Sequence, residues 1–404
     1  DARKPGQLQL GDLTLIGPKV TINQKDNIAE VEGLGAMHMP SNASLDGQPA
    51  KKDARLTVHW TKGMLFTGGK FIDFSGGVLA YQDNASVKCN DMQVTLDKAV
   101  SFKEGQKGSQ KAKAENVLCS GKTYILDAEK GKDGKFAKFH RIIGTEVSLD
   151  NVENKVIASG PNARIDYLGV GDADVGLAPK EGPKAGINPP QQPAPKNEKD
   201  KKDKEVMKLT RVLFDGHMNT INRPAGRTTK FMDNVEVFHV PSENPDEIIN
   251  PNAPPKDGFW MRSELLTILG RKINETKQSQ QMEASRNVTF RTQEFFGNCD
   301  ILKFDDSNDI IIFEASAGNT VTLFKIVGPA GAPPQKIQGS KVLYNRRTGV
   351  FMLEGGKVIT SRLAPQESPA LPVFARFEPS PAASDGAMPW RLMMGAGRGW
   401  TKAG

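Results

Sequence analysis

Gly297-Asn-Cys-Asp-Ile-Leu-Lys-Phe-Asp305, Asp309-Ile-Ile-Ile-Phe313, Thr320-Val-Thr-Leu-Phe324, Ile337-Gln-Gly-Ser-Lys-Val-Leu-Tyr-Asn345 and Gly349-Val-Phe-Met-Leu-Glu-Gly-Gly356 together decide the fold class. Apolar and polar residues alternate in them, the period of a strand with one buried face. The same alternation extends outward to Ala284–Phe290, to Ser86–Leu96 and to Ala54–Trp60, which reads Ala-Arg-Leu-Thr-Val-His-Trp. Helical spacing is scarce. Phe259–Leu269 and Lys277–Arg286 are the best helix candidates, and both also read as strands. Turn chemistry recurs at Thr67-Gly68-Gly69, Ser75-Gly76-Gly77, Phe214-Asp215-Gly216, Phe296-Gly297-Asn298 and Arg347-Thr348-Gly349. Glycine there supplies the positive φ that a tight hairpin or corner requires. A similar unit recurs in Lys70–Leu96, Thr145–Leu168, Arg211–Val240 and twice in Glu283–Thr360. Units of this size cannot close a core alone, but stacking them shares one interior. The expected class is therefore all-β: an elongated, solenoid-like stack of short antiparallel strands.

The 404 residues carry 37% hydrophobic and 25% charged side chains, with 40 Gly and 26 Pro, a composition of many turns and a thin core. A net charge of +7 favours acidic partners such as anionic lipid or a phosphorylated glycolipid. Nucleic acid is disfavoured, because no dense Arg/Lys stripe is interleaved with aromatics. Cys89, Cys119 and Cys299 form no CxxC motif; a disulfide such as Cys89 with Cys119 is compatible with the sequence but not deducible from it. No apolar run reaches the length of a membrane-spanning helix. The chain starts at Asp1 without an initiator Met, so an upstream targeting or anchoring segment is allowed for.

Four regions follow from these patterns. Residues 1–170 are an N-terminal β-repeat region, and residues 206–362 a C-terminal one. Between them, 171–205 is rich in Pro and Lys; its Asp172–Lys204 portion lacks the apolar surface to offset the entropy of ordering and reads as a flexible linker or insertion. Residues 363–404 read as an irregular tail. Pro241–Asp257, with Pro251, Pro254 and Pro255, reads as a further loop.

The recurring pattern Gly-x-x-Ile/Leu-x-Tyr/Phe-Asp/Asn, followed by a turn and a Val-containing return strand, resembles the OstA-like family of lipopolysaccharide-transport proteins. Gly297–Phe313 and Gly339–Lys357 match best; Ile28–Met39 and Phe71–Leu96 look like weaker copies. The resemblance implies an open β-jelly-roll (a β-taco), a twisted stack folded like a V with an apolar inner face. It implies a periplasmic or envelope location, a glycolipid such as lipopolysaccharide as ligand, and partnership with other β-jelly-roll envelope proteins through unpaired strand edges. In that setting the chain would bind or pass an amphipathic glycolipid, as part of a bridge across the periplasm.

No chemistry of its own is legible. His38, His59, His140, His217 and His239 form no HExxH motif and read mostly as strand-surface residues. There is no Gly-x-Ser-x-Gly elbow, and Gly395-Ala-Gly397-Arg-Gly399 lacks the Lys-Ser/Thr of a phosphate loop. Asp172-Ala-Asp174 and Asp305-Asp306-Ser307-Asn308-Asp309 could hold a hard cation, but the second is more simply a hairpin turn. We therefore expect no enzyme, no cofactor and no metal. The candidate site is the apolar strand face: Leu302 and Phe304, Ile311 and Phe313, with Val321, Leu323, Leu343, Phe351 and Leu353. The same residues suit a closed β core, which would make the chain a structural scaffold joining envelope components. A carbohydrate-active β-helix enzyme would need carboxylates clustered on one groove face, and none is evident.

Overall fold

The structure, a computed structural model, describes residues 6–10, 13–40, 54–102, 112–170, 206–272, 278–305, 310–327, 332–346, 348–354 and 357–359. Among them the regular structure is strand throughout, joined into one sheet. The strands are β1 (Gly6–Leu10), β2 (Leu13–Gly17), β3 (Lys19–Asn23), β4 (Ile28–Glu32), β5 (Gly35–Pro40), β6 (Arg55–Trp60), β7 (Gly63–Thr67), β8 (Phe71–Gln82) and β9 (Ala85–Leu96). Next come β10 (Ala114–Lys130), β11 (Phe136–Asp150), β12 (Lys155–Ser159), β13 (Ala163–Val170), β14 (Met207–Phe214), β15 (His217–Arg223), β16 (Gly226–Pro241) and β17 (Phe259–Lys272). The last are β18 (Gln278–Thr292), β19 (Phe295–Asp305), β20 (Ile310–Glu314), β21 (Val321–Lys325), β22 (Gln335–Gly339), β23 (Lys341–Asn345), β24 (Val350–Glu354) and β25 (Lys357–Ile359).

The pairings arrange these strands as two antiparallel walls. The first wall runs β1-β2-β5-β6, through one half each of β8 to β11, then β13-β14, halves of β16 to β19, and β21-β22-β25. The second runs β3-β4-β7, through the other halves of β8 to β11, then β12-β15, halves of β16 to β19, and β20-β23-β24. The eight long strands belong to both walls and turn the corner between them.

Each corner is a β-bulge. Gly76-Gly77 of β8 stand against the single Asn90 of β9, and Asp233-Asn234 of β16 against Glu264 of β17. Gly121-Lys122 of β10 and Arg286-Asn287 of β18 do the same. Both members of every such pair have φ between +50° and +81°. An extra residue on alternate strands bends the ladder and raises its twist, which folds one sheet into a V. Gly, Asn and Asp reach the left-handed region cheaply; two of the four corners are built wholly from them and the other two contain one each.

The two helix candidates are strands, β17 and β18. In β17 the buried inward positions are Phe259, Met261 and Ser263 before the bulge and Leu266 after it, while Trp260 is buried on the opposite face. That phase slip at the corner breaks strict alternation and imitates a helical spacing. Phe296-Gly297-Asn298 is not a turn but the middle of a ladder half of β19. Gly297 is required there for close approach: a Cβ would lie 2.2 Å from the Thr322 carbonyl oxygen. Thr67-Gly68-Gly69 does form the turn between β7 and β8.

The β regions on either side of the expected insertion are one continuous sheet, because β13 pairs with β14 from Ala163↔Phe214 to Val170↔Met207. Residues 171–205 and 363–404 lie outside the described residues. The loop Pro241–Asp257 crosses the outer face of the first wall. There Phe139, Leu168, Leu209 and Val240 form a small second core beside it.

Candidate functional site

The inner faces of the two walls build one long apolar seam. On the second wall, cross-strand partners form a row from Val31, Met64, Phe74 and Met92 through Cys119, Val147, Ala158 and Met218. It continues through Phe231, Leu266, Ala284 and Leu302 to Phe313, Val342 and Leu353. A parallel row lies two residues further from the corner and ends in Met282, Phe304, Ile311, Tyr344 and Phe351. The first wall answers with Val58, Ala80, Val87, Ile125, Ile142, Ile165, Val212, Val237, Met261 and Phe290.

Eight of the nine residues chosen from alternation face this seam. Leu302, Phe313, Val321 and Leu323 are 0% exposed, Ile311 1% and Phe304 3%. Phe351 and Leu353 are partly buried against the same core at its C-terminal end. Leu343 is the exception. It pairs with Ile312 between the inward Val342 and Tyr344, so it points to the outer face. With Leu269, Ile310, Ile312, Lys303 and others it lines an outer cleft of ≈ 520 Å³. The error lay in the register: Val342, not Leu343, is level with Phe313.

The walls touch across the seam. Phe290 stacks on Phe313 with ring centroids 4.6 Å apart, Phe295 meets Tyr344 at 4.8 Å, and Trp60 meets Phe74 at 5.3 Å. The base of the V is thus filled by its own side chains. Such contacts are non-directional, each buried large residue contributing about 1.5–3 kcal/mol, and an alkyl chain can replace them without leaving a polar group unpaired. Access is greatest at the ends, where Leu8, Val20 and Ile22 on one side and Phe351 and Leu353 on the other are only partly buried.

The middle of the seam is different. One row nearer the mouth on the first wall reads Gln82, Ala85, Asp127, His140, Tyr167, Thr210 and His239 across successive strands. Facing it on the second wall, the Thr220 hydroxyl donates to Thr229 at 3.1 Å. Thr210 is hydrogen-bonded to His239 Nδ1 at 2.8 Å, and Lys138 pairs with Asp127 at 2.5 Å. The amide of Gln82 is 1% exposed and, among the described residues, has no hydrogen-bond partner at either end. His38 and His59 do lie on an outer strand surface, beside Thr57 and Tyr81, and burial lowers the pKa of both. His140 and His239 instead point into the V, which strand parity could have revealed once register was known.

Among the described residues no group of His, Cys, Asp and Glu is placed to hold a metal ion. Asp305 pairs with Ile310 as two strands meet, and residues 306–309, like Asp172–Asp174 and 395–399, lie outside the described residues. All three cysteines are free, buried thiols. The hydrogen bond to Cys89 together with burial pushes the Cys119 thiol far up, and burial does the same to Cys299. A raised pKa withholds the reactive thiolate. Native protein should therefore react with Ellman's reagent only slowly at pH 8, and all three thiols promptly in guanidinium; fast stoichiometric labelling of native protein would contradict the packing.

Sequence reading missed one further cluster. Asp166, 0% exposed, accepts from Arg141 Nε and Arg211 Nε at 2.7 Å each and from Arg164 Nε at 2.7 Å. The same arginines donate to the Pro245 carbonyl, at 3.1, 2.8 and 3.3 Å, which ties the 241–257 loop to the wall. Compared with known proteins, the chain matches no family model, no curated protein and no solved structure.

Proposed function

We propose that this chain is a non-enzymatic carrier or bridge segment for an amphipathic glycolipid of the lipopolysaccharide kind, working in the periplasm or elsewhere in the cell envelope. The observation that carries the reading is the continuous apolar seam between two walls that are covalently joined only along their corners. Walls held together by side-chain contact can part, and an acyl chain lying between them gains about 0.8 kcal/mol per CH₂ removed from water. The sugar head would stay at the mouth. The strand edges favour a chain of such units: among the described residues β1 and β3 at one end, and β24 and β25 at the other, each pair on one side only. Such edges recruit further strands, here those of other β-jelly-roll envelope proteins.

Photo-crosslinking tests the reading. A benzophenone side chain at Phe304 or Leu323, both inside the seam, should label glycolipid in envelope-bearing cells. The same group at Leu343, on the outer face, should not. Label at none of the three, or protein adducts alone, would favour a scaffold with a closed core.

A further inference from the structure

Gln82 is a buried polar side chain for which the fold provides no partner. It ends the inward run Val78, Ala80, Gln82 on the first-wall half of β8. Both polar atoms of its amide are shut off from water, and among the described residues neither is hydrogen-bonded. Its neighbours on the inner face supply nothing polar. Ala80 precedes it by two residues, and Ala85 is its cross-strand partner on β9. Leu56 is level with it on β6, one step past the Thr57↔Tyr81 pair. Burying an amide in this way costs stability, because its groups lose water and gain nothing in return. Native interiors rarely keep such a group, and each one calls for an explanation.

The place of Gln82 in its row is the second observation. From the N-terminal end the row reads Met39, Leu56, Gln82, Ala85 and Asp127, with Met39 paired to Leu56 and Ala85 to Asp127. Before Gln82 it is apolar, and Met39 and Leu56 pack against the main core. Two strand spacings beyond, about 10 Å along the wall, it turns charged at the Asp127–Lys138 pair. An amphiphile lying along the seam, chain toward Met39 and head toward Asp127, therefore brings the junction of chain and head to Gln82. The alanines on either side leave room for a linkage group there. A carboxamide presents an acceptor and donors side by side. Its complement is a secondary amide, whose N–H donates to Oε1 and whose carbonyl accepts from Nε2. An ester has no N–H and leaves Oε1 unpaired.

We infer that Gln82 reads the amide linkage of an N-acylated amphiphile held in the seam. The inference rests on the glycolipid reading above and names the acyl linkage that the site selects. A secondary amide bound there satisfies both polar atoms of Gln82 at once. A position with a structural role alone would be better filled by an apolar side chain of the same shape.

The test compares two probes on the full chain: N-tetradecanoylglycine and its ester counterpart O-tetradecanoylglycolate, each below its micellar concentration. They differ only in an N–H replaced by oxygen. The wild-type chain should bind the amide about tenfold more tightly, the worth of one buried hydrogen bond and the acceptor it satisfies. Gln82→Met, similar in shape but without the amide, should erase that preference and raise the urea midpoint, because the cost of the unpaired group goes with it. Equal affinity of the wild-type chain for the two probes, or an undiminished preference in Gln82→Met, would overturn the assignment and leave the seam reading standing. So would a lower urea midpoint for Gln82→Met, the mark of an amide held by an internal water. Binding of neither probe by the wild-type chain would overturn both.

Discussion

Replacing Asp166 with alanine should lower the unfolding free energy by about 3–5 kcal/mol, the usual cost of removing one partner from a buried ion network. Arg141 is 7% exposed and Arg211 8%, so neither can turn to water when the carboxylate is lost. Their remaining partners are the Pro245 and Glu247 carbonyls and the exposed Asp246, which orient the guanidinium groups but do not neutralise all of them. The nearby aromatic Phe139, 5.2 Å from the Arg141 guanidinium, offers only a weak substitute. Release of the 241–257 loop should accompany the loss, because the same three arginines hold Pro245. Urea titration gives the first quantity, and limited proteolysis within the loop the second. Asp246→Ala is the control: its side chain is 69% exposed, so it should cost about 1 kcal/mol or less. An Asp166→Ala protein with the wild-type midpoint and an intact loop would refute the role given to the cluster.

Phe313→Ala should cost a comparable amount, about 3–5 kcal/mol, as lost burial plus a residual cavity. Phe313 lies between Phe290, stacked on it at 4.6 Å, and Phe295 at 6.3 Å, and it is 0% exposed. The strands on either side pair with fixed neighbours, so the backbone cannot collapse into the gap. Leu343→Ala, on the directly paired strand β23, should cost about 1 kcal/mol or less, because its side chain faces outward and is only partly covered. The pair separates inside from outside on two adjacent strands. Similar losses at both positions would mean that the register assigned to β23 is wrong. Since stacked repeats contact only their neighbours, the damage from Phe313→Ala should stay near β18–β23 and leave hydrogen exchange in β6–β9 unchanged.

Much of this architecture is local in origin. Alternation in segments such as Ile301–Phe304 and Ile311–Phe313 specifies strands, because a period of two places every second side chain on one face. Short runs ending on Gly, Asn or Asp specify many antiparallel returns. Gly76-Gly77 marks a corner for the same reason, since the bulge needs left-handed φ at both positions. Arg286-Asn287 adopts the same geometry with a residue that disfavours it, so that corner was unreadable: its neighbours in the sheet impose it.

What the sequence by itself determined is the class, the repeat and the inward identity of Leu302, Phe304, Ile311, Phe313, Val321 and Leu323. It also determined that Phe351 and Leu353 share that face. Register was decided by tertiary structure, since a slip of one residue reverses every side chain, and Leu343 turned outward on that count. Long-range pairing decided the rest. Asp166, Arg141 and Arg211 lie on separate strands, and nothing local marks three charges as buried together until β11, β13 and β14 align. Trp60 and Phe74, and Phe290 and Phe313, likewise become neighbours only when two walls close on one another, because what joins them is the fold of the sheet and not the order of the chain.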